Sequence, residues 1–360
     1  MSEPAPTAHQ ERRQFHALDL MRGLAAIFVV AQHLDGPLYK MVFGSHLAVD
    51  LFFMMSGFVL EHAYGDRLRH GMSLKAFMKA RVVRLYPLYI LGSAFGALVL
   101  LRETAWPVLL ANLAFAAAFV PAPPGVSADG FNVFPLNYPA WSLFWELVAN
   151  ALYGFVAARL TPRLLGAILS LGAVLLVVSA VAFNGLDGGA NCNTFVLGAL
   201  RVVYGFFAGV VVYRVWASGR WPRFRVSAWA AAAILMAVFM ARRWHFAAVY
   251  DVSAALIVFP LLVFAAARGE GGPRTNRICT TLGALSYPLY ALHGAFTPIV
   301  AWRESLAVTH SWIALPFDGA FIAAMLVLAM VAERFYDRPL RRAVGKGRLG
   351  LRSARPGLPV

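Results

Sequence analysis

The sequence predicts an all-α, polytopic integral-membrane helical bundle, and three features carry that expectation. Sixty per cent of the 360 residues are hydrophobic and 14% are charged, with a mean hydropathy of +0.66. That is too apolar for a soluble domain. The apolar residues also fall in recurrent runs of a length suited to a hydrocarbon core about 30 Å thick. Finally, the connections are brief, no long hydrophilic insertion separates the runs, and no fixed-period repeat is present, so one bundle is the economical reading.

In chain order the runs are 17–34, 46–62, 85–101, 106–120, 141–158, 164–183, 195–213, 226–240, 247–267, 281–301 and 312–333. Arg12 and Arg13 precede the first run, which itself contains Arg22 and lacks a small-residue cleavage site. It therefore reads as an uncleaved helix rather than a signal peptide. Lysine and arginine counts set the orientation. The 63–84 connection holds Arg67, Arg69, Lys75, Lys79, Arg81 and Arg84, the 214–225 connection holds Arg214, Arg220, Arg223 and Arg225, and the tail from Arg338 is basic. These are expected on the cytoplasmic side, and 121–140 and 184–194, which contain no lysine or arginine, outside. Eleven crossings cannot satisfy all of these, so one of 85–101 and 106–120 is expected to be re-entrant or to lie on the surface. About ten crossings remain, with both termini cytoplasmic. The expected division is an N-terminal tail 1–16, a membrane domain 17–342 and a basic tail 343–360.

The formal charge of +15 is distributed between apolar runs and in the tail, as suits anionic lipid rather than nucleic acid. Cys192 and Cys279 are the only cysteines, giving no disulfide framework and no zinc spacing, and no metal site is expected.

Polar residues inside the runs are the functional signal, because an ionisable group in a membrane helix is costly and usually faces a bundle interior or a watery cavity. Arg22 and His33 are eleven residues apart, which at ~100° per residue brings them to nearly one helix face, separated by ~16 Å of rise. Asp50 opens the segment Val49–Leu60 and reads either as a helix cap or as a site group, with Ser56 and Gly57 suited to a helix contact and Glu61 and His62 to the interface. Arg81 and Arg84 share a helix face ahead of Pro87, which is expected to interrupt the helix. The pair reads either as a positive-inside signal or as planar donors for phosphate. Ser142 and Glu146 share a face flanked by Trp141 and Trp145, which suit interface anchoring or stacking on a sugar ring. Ser286 and Tyr287 are close enough to satisfy backbone freed by Pro288, and His293 reads as a hydrogen-bonded structural histidine.

In this order, the segment Leu20–Ala26 leading to His33, then Val49–Leu60, Arg81–Pro87, Trp141–Glu146, Ser286–His293 and the closing Asp337–Arg342 resemble the acyltransferase type-3 family of bacterial integral-membrane O-acyltransferases. The resemblance spans Leu18 to Arg342, with Met54 and Met55 where valine or isoleucine is more usual. It implies transfer of an acyl group, often acetyl, from acyl-CoA to a hydroxyl of a carbohydrate or a glycosylated lipid or metabolite in the bacterial inner membrane. Acyl-CoA is then a co-substrate and no cofactor is bound. The resemblance matches the family's membrane histidine to His33 and its serine and glutamate to Ser142 and Glu146; on chemical grounds His33 is then expected to act as the general base, oriented by Glu146, with a covalent acyl-histidine as the variant. Arg22, Arg81 and Arg84 become donor- or oxyanion-binding groups. Asp50, Trp141, Ser142, Trp145, Ser286, Tyr287 and His293 become acceptor-binding or supporting residues. The rival expectation is a proton-coupled transporter or flippase, in which His33, Glu146 and His293 relay protons and the arginines bind an anionic substrate.

Overall fold

A computed structural model describes residues 14–34, 36–220, 225–242, 244–269, 271–298 and 314–345. Arg12, Arg13, Arg223, the inner ends of the 281–301 and 312–333 runs and the basic tail beyond 345 lie outside the described residues. The helices are α1 His16–Gln32, α2 Pro37–Met41, α3 Ala48–Arg69, α4 Leu74–Leu100, α5 Trp106–Ala118, α6 Ala140–Val156 and α7 Pro162–Ala182. They continue with α8 Phe195–Ser218, α9 Ala228–Ala241, α10 Ala247–Ser253, α11 Phe259–Ala266 and α12 Pro273–His293. Last come α13 Ala314–Ala332 and α14 Arg338–Gly345. Among the described residues, β-structure amounts to an isolated bridge between Asn132 and Asn191, which joins the two connections that lack basic residues.

Several helix starts follow from local chemistry. Ser73, Thr161 and Ser227 each accept the backbone N–H three residues on, satisfying a donor that has no partner inside the helix. Thr161 is followed by Pro162, whose missing N–H costs nothing at a helix start. Pro87 and Pro288 lie inside α4 and α12, and both helices run through them. The expected interruption at Pro87 does not occur. A proline removes one backbone donor, and packing of α4 against α6 and α12 holds the remaining turns. The 63–84 connection likewise shrinks to residues 70–73, because its basic residues belong to the end of α3 and the start of α4.

Among the described residues, six helical segments are long and apolar enough to cross a membrane: Ser45–Arg69, Leu74–Leu100, Pro162–Ala182, Phe195–Ser218, Ala247–Ala266 and Ala314–Val344. Length and composition alone thus do not reach the expected ten. Helices α1 and α6 stop at 17 residues, and α12 carries Arg274, Arg277 and several polar residues in its first turns. Of the two contenders for an incomplete crossing, α4 has 27 residues and α5 only 13, so α5 reaches only ~20 Å.

The closest helix pairs are α3 with α8 and α1 with α12, and both rest on glycine. A Cβ on Gly57 would overlap the Phe206 carbonyl, and one on Gly209 would overlap the Met54 carbonyl. On α1 and α12, a Cβ on Gly23 would come within 2.6 Å of Leu282, and one on Gly283 within 2.6 Å of the Asp19 side chain. In lipid, where no hydrophobic force separates helix from solvent, such backbone approach is a main source of helix association. These two pairs fix the walls of the site.

Candidate functional site

Basic residues gather at one end of the bundle. There the start of α1 meets the ends of α3 and α8, with Phe15 packed edge-on against His62 and Trp216. Buried Glu61 accepts from Arg69 and Arg214 at 2.8 and 2.7 Å and from the Tyr153 hydroxyl, and His62 bonds Tyr213. Glu61 thus does more than mark a helix end: it gathers α3, α6 and α8 into one buried cluster.

From this end three cavities follow one another. The first, about 190 Å³, is lined by Arg22, Arg81, Arg84, Glu146, Ser142, Ser286 and Tyr287 among others. The second, about 140 Å³, is lined by Gln32, His33, His46, Tyr138, Trp141, Asp187 and Arg201 and shares Val49 and Tyr290 with the first. The third, about 430 Å³, opens beside the bridged connections and shares Tyr138 and Ala190 with the second. Arg22 and His33 thus share a helix face but line different cavities, since their ~16 Å separation exceeds what one small cavity spans.

In the first cavity Arg22 is firmly bonded, while Arg81 and Arg84 are loosely held. Arg22 donates to Ser286 Oγ at 2.9 Å, to the Gly283 carbonyl and to Asp19. Arg81 reaches Glu146 at 3.5 Å, and its Nε is buried with no hydrogen-bond partner among the described residues. Arg84 lies over the Tyr287 ring at 4.8 Å and 3.6 Å from Asp337. Glu146 accepts from Ser56 at 2.7 Å. The expected contact between Glu146 and His33 is absent: α6 turns Glu146 toward α3 and α4, while His33 lies beyond Tyr290. Ser286 accepts from Arg22 of α1 while donating to the Gly283 carbonyl within α12, and Tyr287 donates to the Leu85 carbonyl of α4, so the two residues tie α12 to α1 and α4.

The second cavity holds the histidine pair. His33 caps the C-terminal end of α1, which places it at a helix end rather than mid-helix. His293 Nδ1 lies 2.9 Å from the Tyr290 carbonyl and 3.2 Å from the Leu289 carbonyl. Carbonyls only accept, so Nδ1 carries the proton, and Nε2 of the neutral ring accepts from His33 Nδ1–H at 3.1 Å. The free lone pair of neutral His33 is then on Nε2, beside the cavity, with the ring edge-on to Tyr138 at 4.9 Å. His293 is therefore the partner that sets the tautomer of His33, a role its lone position in sequence did not reveal.

Asp50 does not cap α3. It sits in the first turn and meets Arg201, whose Nε and Nη2 donate to its two oxygens at 3.0 and 2.7 Å. Arg201 also donates to the carbonyls of Gly188 and His46 and lies over the Trp141 ring. His46 in turn donates to Asp251, which also accepts from Arg242 and from the Leu186 N–H. The sequence reading passed over Arg201, Tyr138, His46 and Asp187. For Arg201 the signal was present, a single arginine inside the 195–213 apolar run, the same feature that singled out Arg22. Ser142 donates within a small ring of oxygens, 2.6 Å from the Tyr290 hydroxyl and 3.0 Å from the Pro139 carbonyl. Trp145 donates to the Phe195 carbonyl and is a packing residue, whereas Trp141 is buried and faces the second cavity.

Fold and site together define a multi-pass membrane protein with a polar interior. The chain belongs to the acyltransferase type-3 family, an acyltransferase domain whose sequence profile matches residues 15–334, and it is an acyltransferase. It is also similar to a Rhizobium radiobacter protein described as "Protein 2 in picA locus", with 41% identity over 186 residues covering 47% of this chain and 96% of that protein. No solved structure matches.

Proposed function

We propose that this acyltransferase moves an acyl group, acetyl by preference, from acyl-CoA to a hydroxyl of a carbohydrate or glycosylated lipid. The observation that carries this reading is the pairing of His33 with His293 at 3.1 Å, in a cavity that shares a wall with another holding the loosely paired Arg81 and Arg84. A cationic cavity at the basic end suits the phosphates of CoA, for which guanidinium is the better-matched cation. A chamber lined by Gln32, Tyr138, Trp141 and Asp187 offers aromatic faces and polar atoms of the kind that hold a sugar ring.

The acceptor hydroxyl gives its proton to His33 Nε2 as its oxygen attacks the thioester carbon. The C–O bond forms, the C–S bond breaks, and the proton passes from His33 to the departing sulfur, leaving an ester and CoA thiol. Because His33 returns the proton it takes, no other base is consumed. Arg22, Arg81 and Arg84 hold the donor, and Glu146, bonded to Ser56 and close to Arg81, positions Arg81 rather than His33. In the inner membrane, an arrangement of about ten crossings with both termini cytoplasmic puts the arginine cavity on the side where CoA is made and the 430 Å³ vestibule on the other.

The test is acyl-CoA turnover by the purified protein against a panel of extracted glycans and glycolipids. CoA release that depends on an extract supports the reading. A protein that moves such molecules between leaflets of a vesicle without consuming thioester is instead a transporter or flippase.

A further inference from the structure

The arginine cavity and the histidine cavity meet at two residues, Val49 and Tyr290, the lining residues common to both. We infer that Val49 and Tyr290 form a size filter for the acyl group, which must pass or lodge between them when a donor bound at the arginines presents its carbonyl to an oxygen activated by His33. This rests on the acyl-CoA reading above and deepens it by naming what limits the acyl group to a short, unbranched one.

The two sides of the partition differ in freedom. Tyr290 is locked: its hydroxyl lies 2.6 Å from Ser142 Oγ and 3.3 Å from the Pro139 carbonyl, its ring stands edge-on to Phe52, and its carbonyl accepts from His293. Val49 makes no polar contact through its side chain, so its two methyl groups alone set the width on that side. Its backbone is nevertheless held, because the adjacent Asp50 is gripped by Arg201 from α8, and Gly57 and Gly209 bring α3 and α8 into backbone contact further along. A rigid frame with one aliphatic side chain at the aperture is a geometry in which volume is discriminated, since a packed wall cannot yield to an added methyl group. The histidine cavity is also the smaller of the two, about 140 against 190 Å³, and it must hold the acceptor hydroxyl as well.

In the transfer the acyl C–S bond breaks, the C–O bond forms and the proton travels from acceptor to sulfur through His33, so the filter takes no part in bond changes. It acts on which donors place their carbonyl within reach. One methyl or methylene in an apolar pocket is worth roughly 10- to 200-fold in discrimination.

The experiment uses the full chain in lipid nanodiscs, supplied with extracted glycolipids, and follows CoA thiol release from acetyl-, butyryl- and isobutyryl-CoA. Wild type is expected to favour acetyl-CoA. Val49→Ala should raise the isobutyryl-to-acetyl ratio of kcat/KM about tenfold or more. Val49→Phe should abolish transfer from all three while CoA itself, measured by calorimetry, still binds within a few-fold. A Val49→Ala protein with wild-type thermal stability and an unchanged acyl profile overturns the filter, as does wild-type transfer by Val49→Phe. If Val49→Phe fails to fold, Val49→Ala decides alone. A wild-type protein that releases no CoA from any donor refutes the acyl-CoA reading itself and the filter with it, an outcome distinct from an active enzyme with an unaltered profile.

Discussion

The arginine cavity and the Arg201 cluster both place guanidinium groups inside a membrane bundle, yet they treat them in opposite ways. Arg201 has acceptors at 2.7–3.0 Å on each of its nitrogens: both oxygens of Asp50 and the carbonyls of His46 and Gly188. Arg81 and Arg84 meet their carboxylates only at 3.5 and 3.6 Å, and Arg81 Nε has no partner among the described residues. A buried cation with a close acceptor on every nitrogen is fixed in place and serves the fold. A buried cation with donors to spare is ready to exchange a loose carboxylate for a ligand's phosphate, which is what a binding site requires.

Substitutions can break this comparison or sharpen it. The largest expected effect lies between the two regions, at His33. His33→Ala should reduce transfer by about 10²- to 10⁴-fold while membrane insertion, followed by fractionation and fluorescence-detected gel filtration, stays near wild type. Retention of most of the turnover would remove the base from the mechanism.

Next is Arg201→Met, which leaves Asp50 buried without its partner and should cost roughly 3–5 kcal/mol of stability. Thermal unfolding in detergent measures this, and Asp50→Leu combined with Arg201→Met should recover part of it. A stable Arg201→Met protein whose only defect is a raised KM for donor would place Arg201 among the ligand-binding arginines and dissolve the contrast.

For the loosely held pair the expectation is reversed. Arg81→Gln with Arg84→Gln should raise KM for acyl-CoA by about 10- to 100-fold, from the loss of charged hydrogen bonds worth roughly 1.5–3 kcal/mol. The acceptor's KM and the melting temperature should move little, and a Lys pair should restore only part of donor affinity because the planar fork is gone. Misfolding of the Gln pair, with no folded protein weakened in donor binding, would mean the two arginines serve topology. Glu146→Gln should act in the same direction more weakly, raising donor KM several-fold more than it lowers kcat, since Glu146 meets Arg81 and Ser56 and not His33.

The smallest effect belongs to the vestibule. Burial raises the Asp129 carboxyl, but hydrogen bonds from Asn132, the Phe131 and Asn132 N–H groups and Ser127 outweigh it and hold the group below the usual carboxylate range. Its stabilisation of the 121–140 connection is therefore complete above the unfolded carboxylate pKa and lost as pH falls through the lower folded value. Proteolytic nicking of that connection should rise on the acid side in wild type, and Asp129→Asn should flatten the dependence. An unchanged acid profile in the variant would assign the effect to another group.

Much of the helical arrangement was legible in the chain itself, because helix periodicity relates residues within one helix. Hydropathy marked the runs, the eleven-residue interval put Arg22 and His33 on one face at two depths, and the intervals of three and four put Arg81 with Arg84 and Ser142 with Glu146. What periodicity cannot carry is the rotation of one helix against another. That rotation decided that Glu146 meets Ser56 and Arg81, that His33 pairs with His293 from 260 residues away, and that Asp50 is claimed by Arg201 rather than by its own helix start. It was set by close contacts at Gly23, Gly57, Gly209 and Gly283, residues whose importance depends on what lies opposite them. Sequence alone thus determined a helical membrane bundle with costly polar groups at particular depths. Only the packed structure decided which cavity each group enters, because in a bundle without a hydrophobic force between helices the contacts are chosen by shape and polar pairing across the chain.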